Sequence, residues 1–157
     1  MATLPEKMPL TPDQFRSIVQ LTPLASLDLV IQDETEHVLV GLRNNEPAKG
    51  TYFVPGGIIR KNETLDQAFL RILSIETGLA LSRREAEHIG LFEHFYSANR
   101  FGEAGYGTHY VVNAYRIRLN PRPSIVRDGQ HAELRWLRPV ELLADAAVHE
   151  NTKAYFR

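Results

Sequence analysis

The chain contains no cysteine. That absence excludes disulfides, thiolate metal sites and thiol nucleophiles, and it is compatible with a reducing compartment. Neither sign of charge dominates: 18 Lys and Arg stand against 19 Asp and Glu, for a net charge of -1. There is therefore no broad cationic field to hold a nucleic-acid backbone or an anionic membrane, and an anionic ligand has to be gripped locally. Long apolar runs are missing as well. None approaches the roughly 18 residues of a membrane span, and the opening MATLPEKMPLTPDQF lacks the apolar core of a signal peptide, so a cytoplasmic protein is expected. No repeat or low-complexity block occurs, and Gly and Pro are scattered instead of gathering in one linker. What remains is ordinary globular material: 157 residues, 43% hydrophobic and 24% charged, which predicts one domain over residues 1–157 with a sizeable core.

Thr11, Pro12 and Gln14 make a helix start, with a capping side chain, proline at the first helical position and Gln three residues after the cap; Pro23 should stop it. In LASLDLVI, residues 24–31, Leu27, Leu29 and Ile31 share one face by two-residue alternation. Residues 37–43 are similarly strand-like, and the polar DETE between the two predicts a hairpin. TYFV at 51–54 is a short β-rich run, followed at once by Pro55, Gly56 and Gly57, which predict a tight functional bend. Thr64 with Gln67 forms a second capping box. Leu65, Ala68, Phe69, Ile72 and Leu73 then recur at helical spacing until Gly78. Strands are expected at 89–96 and 109–119, separated by the glycine-rich NRFGEAGYGT, a loop expected to border a site or to move. A short strand at 134–137 precedes a helix opened by Pro139. The pattern predicts an α+β domain dominated by strands, with two or three helices.

One carboxylate is out of place. At about 100° per residue, Leu65, Phe69, Ile72 and Glu76 fall near the middle of the apolar stripe of the helix from 64 to 77. An inward Glu76 is either an acid paired with Arg, a helix-end carboxylate reaching solvent, or a ligand for a hard cation such as Mg²⁺ beside the Gly-rich bend. Glu63 and Arg71 read as structural: the first complements the positive helix end, and the second can reach back to pair with it.

The stretch GIIRKNETLDQAFLRILSIETGL resembles the Nudix signature, with Gly57, Glu63, Arg71, Glu76, Gly78 and Leu79 in register. The signature also asks for Glu directly after the Arg and just before Glu76, where this chain has Ile72 and Ile75. The GDP-mannose mannosyl hydrolases within that family likewise carry apolar or small residues there. The segments LTPLASLDLVI, GLRNNEPAKGTYFVPGG, EHFYSANRF, THYVVNAYRIR, GQHAELRWL and VHENTKAYF are similar to that subfamily in the same order, over roughly residues 13 to 156.

The resemblance implies a mixed β-sheet sandwiched between α-helices. It also implies hydrolysis of GDP-mannose, with GDP-glucose as a second substrate, to GDP and free sugar by water attack at C1 with inversion. It implies one Mg²⁺ held by the Gly56 carbonyl, Glu76 and Gln130, with His131 as general base. Arg43 is implied to face the diphosphate, and Asp28, His94 and Tyr110 to lie at the substrate. Taken without the resemblance, Gln130 and His131 read as an exposed loop, Arg43 as a solvated strand end and Asp28 as a hydrogen-bonded structural acid or a ligand group. Where the family carries an Arg after the Gly pair, this chain has Ile58; Arg60, two places on, projects to the same side of an extended strand and is expected to replace that charge. His37, His88 and His149 are expected at the surface. Phe15, Phe95 and Tyr96 are candidates to stack on guanine, or are packing residues. A homodimer is implied, with no nucleic-acid or membrane partner. The alternatives are a Nudix pyrophosphatase that yields a nucleoside monophosphate and a sugar 1-phosphate, and a non-catalytic nucleotide-sugar sensor.

Overall fold

A computed structural model describes residues 10–126 and 133–157. The first helix, α1 (Pro12–Leu21), starts at the expected capping box: the Gln14 N–H donates to Thr11 Oγ1 at 3.2 Å and the Thr11 N–H donates to Gln14 Oε1 at 2.9 Å. Then come β1 (Leu24–Gln32), β2 (Val38–Leu42), β3 (Tyr52–Phe53), β4 (Gly56–Ile58), α2 (Leu65–Thr77), β5 (Glu87–Tyr96), β6 (Thr108–Arg118), β7 (Leu134–Leu137), α3 (Pro139–Ala144) and α4 (Glu150–Lys153).

The strands form one sheet in the order β3-β2-β1-β6-β5, with β4 added to β1 and β7 to β2. β1 runs parallel to β6, and the other pairs are antiparallel, so the sheet is mixed. β1 is covered on both faces. Leu27, Leu29 and Ile31 pack with Phe69, Ile72 and Leu73 of α2, whereas Val30 packs on the other side with Val40, Leu142 of α3, Val148 and Tyr155. Strict alternation along β1 thus feeds two cores, and helices flank the sheet as expected.

The hairpin between β1 and β2 is pinned by Asp33, whose carboxylate accepts the backbone N–H groups of Thr35 and His37, each at 2.9 Å, and Arg122 Nε at 2.7 Å. α2 has the expected capping box at Thr64 and ends on Gly78 at φ 74°, a left-handed conformation that favours glycine. Among the described residues no helix is long and apolar enough to cross a membrane.

Two elements differ from the sequence reading. The bend expected at residues 55–57 is largely a strand: Gly56, Gly57 and Ile58 pair with Asp28, Leu27 and Ser26. Glycine is required there because a Cβ on Gly56 would lie 2.4 Å from Asp28 Oδ1 and 2.7 Å from the Leu27 carbonyl oxygen. The second difference is α4, followed by a 3₁₀ turn at Ala154–Phe156. Four residues carry no readable helical period. His149, expected at the surface, is half-buried because it caps this helix; its Nδ1 accepts the Asn151 N–H at 3.0 Å and its ring stacks on Phe53 at 4.6 Å.

Candidate active site

The register of three neighbouring strands puts their even-numbered residues on one face. Asp28 pairs with Ala114, Tyr110 with His94, and Thr108 with Tyr96. Beyond the apolar patch around Val30, this face opens into a cavity of about 250 Å³ that Asp28, His94, Tyr96 and Tyr110 line. β4 supplies another wall through Gly56, Gly57 and Ile58; Arg43 and Phe53 border it from the ends of β2 and β3, and Phe15 and Val19 from α1.

At the cavity floor the Tyr155 hydroxyl donates to Asp28 Oδ2 and lies 3.4 Å from His94 Nε2. Burial pushes the Asp28 carboxyl up to about 6, against the opposing pull of the Tyr155 hydrogen bond and the Arg43 charge. Burial also holds His94 down at about 4, with His149 adding repulsion, so this imidazole is neutral at pH 7. Tyr96 is pushed up to about 12 by burial and stays a neutral phenol. Arg43 hydrogen-bonds Tyr110 and sits over the Phe53 ring, 5.2 Å from its centroid. Burial raises Tyr110 despite that neighbouring guanidinium. An acid, a fixed guanidinium and several neutral donors therefore share one pocket, a set suited to a ligand with both hydroxyls and phosphates.

Glu76 and Gly56 border the same cavity. Glu76 lies one turn beyond Ile72, whose side chain is 2% exposed and packs over Gly57, where a Cβ would come within 3.1 Å of Ile72 Cγ1. Ile72 is thus core, and among the described residues no three His, Cys, Asp or Glu side chains form a metal cluster. One carboxylate plus a carbonyl suits a single Mg²⁺ completed by other oxygens and fits a multi-metal cluster poorly. Gln130 and His131 lie outside the described residues.

Arg60 does not join this constellation. β4 ends at Ile58, which does line the cavity, and the chain then turns: the Arg60 N–H donates to Glu63 Oε1 at 3.0 Å and the Glu63 N–H to the Arg60 carbonyl at 3.1 Å. Same-side projection presumes a strand that continues, and this one stops; Arg60 is among neither the cavity-lining residues nor the strand. Its electrostatic neighbours are Glu63 and Arg71, the pair expected to be structural. Arg71 Nε donates to Glu63 Oε2 at 2.6 Å and its Nη2 to the Ile58 carbonyl at 2.8 Å. Of the aromatic candidates, Phe15 and Tyr96 border the cavity, but Phe95 points away, 67% exposed and stacked on His109. Tyr155 and Arg100 were not anticipated. Tyr155 sits in a terminal turn with no periodic signal, and Arg100 reaches the cavity from the loop between β5 and β6.

The NUDIX domain family model matches residues 22–157. The low-salt glycan biosynthesis protein Agl8 of Haloferax volcanii is 39% identical over 127 residues, covering 81% of this chain and 78% of that protein. Among solved structures, a MutT NUDIX hydrolase from Burkholderia pseudomallei matches with a TM-score of 0.69 at 24% identity, over 86% of this chain and 96% of the other. The NUDIX domain of Shewanella oneidensis NrtR, complexed with ADP ribose, matches with a TM-score of 0.64 at 18% identity, over 93% and 96%. These two likenesses speak for the fold, a mixed sheet with flanking helices. With the signature loop and helix in place and the domain model spanning most of the sequence, the chain belongs to the Nudix family.

Proposed function

We propose that this protein hydrolyses a sugar-linked nucleoside diphosphate, GDP-mannose first and GDP-glucose second, to GDP and free sugar, by water attack at the sugar's C1 with inversion. The observation that carries the reading is the burial of Ile72 beside Gly57, which leaves Glu76 as the signature-helix carboxylate at the cavity. Attack on phosphorus with a metal cluster calls for more acidic ligands than this helix offers. Attack on carbon asks less, because a diphosphate is already a good leaving group and chiefly needs its developing charge stabilised.

Nudix hydrolases generally work with a divalent cation, and here Gly56, Glu76 and Gln130 would hold one Mg²⁺. When bound it supplies positive charge to the departing diphosphate. Arg43 grips phosphate oxygens, with its guanidinium already oriented by Tyr110 and Phe53. The Asp28 carboxylate repels phosphate and accepts hydrogen bonds from sugar hydroxyls, which places the sugar at the floor and the nucleotide toward the mouth. His94, neutral, adds a hydrogen-bonding partner without charge. His131 is the proposed base, an imidazole suited to proton abstraction near neutral pH and worth about 10²- to 10⁴-fold. A relative named for glycan biosynthesis is in keeping with a sugar-nucleotide substrate.

Hydrolysis in ¹⁸O water with Mg²⁺, followed by NMR and mass spectrometry, tests the proposal. Label on mannose of inverted configuration, with unlabelled GDP, supports it. GMP plus mannose 1-phosphate means a pyrophosphatase, and binding without turnover means a sensor.

A further inference from the structure

The loop between β5 and β6 has a stiff neck and an organised interior. Asn99 is 1% exposed, and its side chain makes four hydrogen bonds to loop backbone: Nδ2 donates to the carbonyls of Glu103 (2.8 Å) and Tyr106 (3.0 Å), and Oδ1 accepts the N–H groups of Phe101 (3.1 Å) and Glu103 (3.2 Å). At the base, Thr108 Oγ1 donates to the Ala98 carbonyl at 2.8 Å. Gly107 fits there only because it lacks a side chain: a Cβ would stand 2.0 Å from the Tyr96 carbonyl oxygen.

The loop is also clasped to α1. Arg16 pairs with Glu103 and lies over the Phe101 ring, while Phe15 meets Phe101 edge to face at 5.7 Å. The loop and α1 thus form one wall of the cavity, and that wall presents Arg100 to it. Arg100 is exposed and makes no hydrogen bond or ion pair to any described residue, so its charge is not spoken for within the described fold. It acts electrostatically on the Tyr110 hydroxyl, as Arg43 does.

We infer that Arg100 is a second cationic grip on the diphosphate, acting with Arg43 in the cavity that Tyr110 also lines and serving where Ile58 leaves the β4 wall without charge. The ligand class is a nucleoside diphosphate or its sugar ester, whose phosphates carry the charge that two guanidiniums complement. The inference rests on the nucleotide-sugar reading. Arg60, held beside Glu63 and Arg71, is not needed for it.

The test is an NMR titration of the full chain with GDP and with guanosine, in Mg²⁺, for the wild type, Arg100→Ala and Arg100→Lys. Arg100→Ala is expected to weaken GDP about tenfold, equivalent to about 1.4 kcal/mol, with guanosine affinity and melting temperature unchanged. Arg100→Lys should recover part of the loss, since an ammonium keeps the charge without the planar fork. Equal GDP affinity in the wild type and Arg100→Ala overturns the inference while leaving the proposed function standing. An equal loss for guanosine also overturns it, because Arg100 would then serve the base. A wild type that does not bind GDP at all overturns the nucleotide-sugar reading, and this inference with it.

Discussion

Tyr155 joins two polar groups of the cavity floor, donating to Asp28 and lying 3.4 Å from His94, while its ring meets Phe92 edge to face at 4.8 Å. Tyr155→Phe keeps the ring and removes the hydroxyl. It is expected to cost about 1 kcal/mol of stability and to raise KM for GDP-mannose while leaving GDP affinity unchanged, because Asp28 is proposed to hold the sugar. Steady-state kinetics beside a GDP titration check this, and an equal loss of GDP would assign the network to the nucleotide instead. The residues that proved legible from sequence are those whose place follows from local periodicity. Asp28 stood out as a charge within an apolar strand, and Glu76 as a charge on an apolar helix face; both border the cavity. Tyr155 and Arg100 depend on where a terminal turn and a loop come to rest, and no spacing encodes that. Arg60 lies beyond the reach of that logic, since alternation holds only while the strand lasts and β4 ends at Ile58.

The signature loop and α2 form a unit held by the Glu63–Arg71 pair, whose side chains are 2% and 8% exposed. Burial alone would raise the Glu63 carboxyl, but hydrogen bonds from Arg71 outweigh that and hold it below its ordinary value. Arg71→Ala removes both the cation and the anchor on the Ile58 carbonyl, leaving an uncompensated buried carboxylate. A loss of about 3 kcal/mol is expected, read as a lower urea midpoint. This unit was the most readable part of the chain: its capping box, its glycine stop and its ion pair are all local in sequence. β4 was less so. Two glycines signal backbone freedom equally well for a bend or for a close approach, and only the presence of Asp28 and Leu27 across the pair decides between them.

Because β1 carries both cores, the layers on either side of the sheet share one central strand and should unfold together. Their acid response is expected in two stages. His94, neutral in the fold at about 4 against an ordinary value near 6.5, takes up its proton more readily once unfolded, which lowers stability as pH drops below about 6.5; Asp28, raised to about 6 in the fold, takes up its proton more readily folded and offsets that loss between about pH 6 and pH 4. Glu63 and Asp33, both held below their ordinary values in the fold, contribute stability above their unfolded values that is lost on further acidification, from about pH 4.5 downward. Melting temperatures from pH 8 to pH 3 measure both stages, and His94→Gln, which leaves the Asp28 contribution, is expected to gain stability relative to the wild type as pH drops from about 6.5 to 5. Parallel curves for the wild type and His94→Gln between pH 7 and pH 5 would contradict the burial effect on His94.

The Asn99 scaffold and the crowded contact at Gly107 fix the backbone of one loop from its neck to Tyr106, and Gly102 and Gly105, at φ 64° and 93°, hold left-handed turns that favour glycine. Position 100, whose side chain takes no part in these contacts, can therefore change while Phe101, Glu103 and the glycines keep the shape of the loop. Ligand preference in such a molecule can diverge by change at that single position, with the reaction centre below it inherited intact.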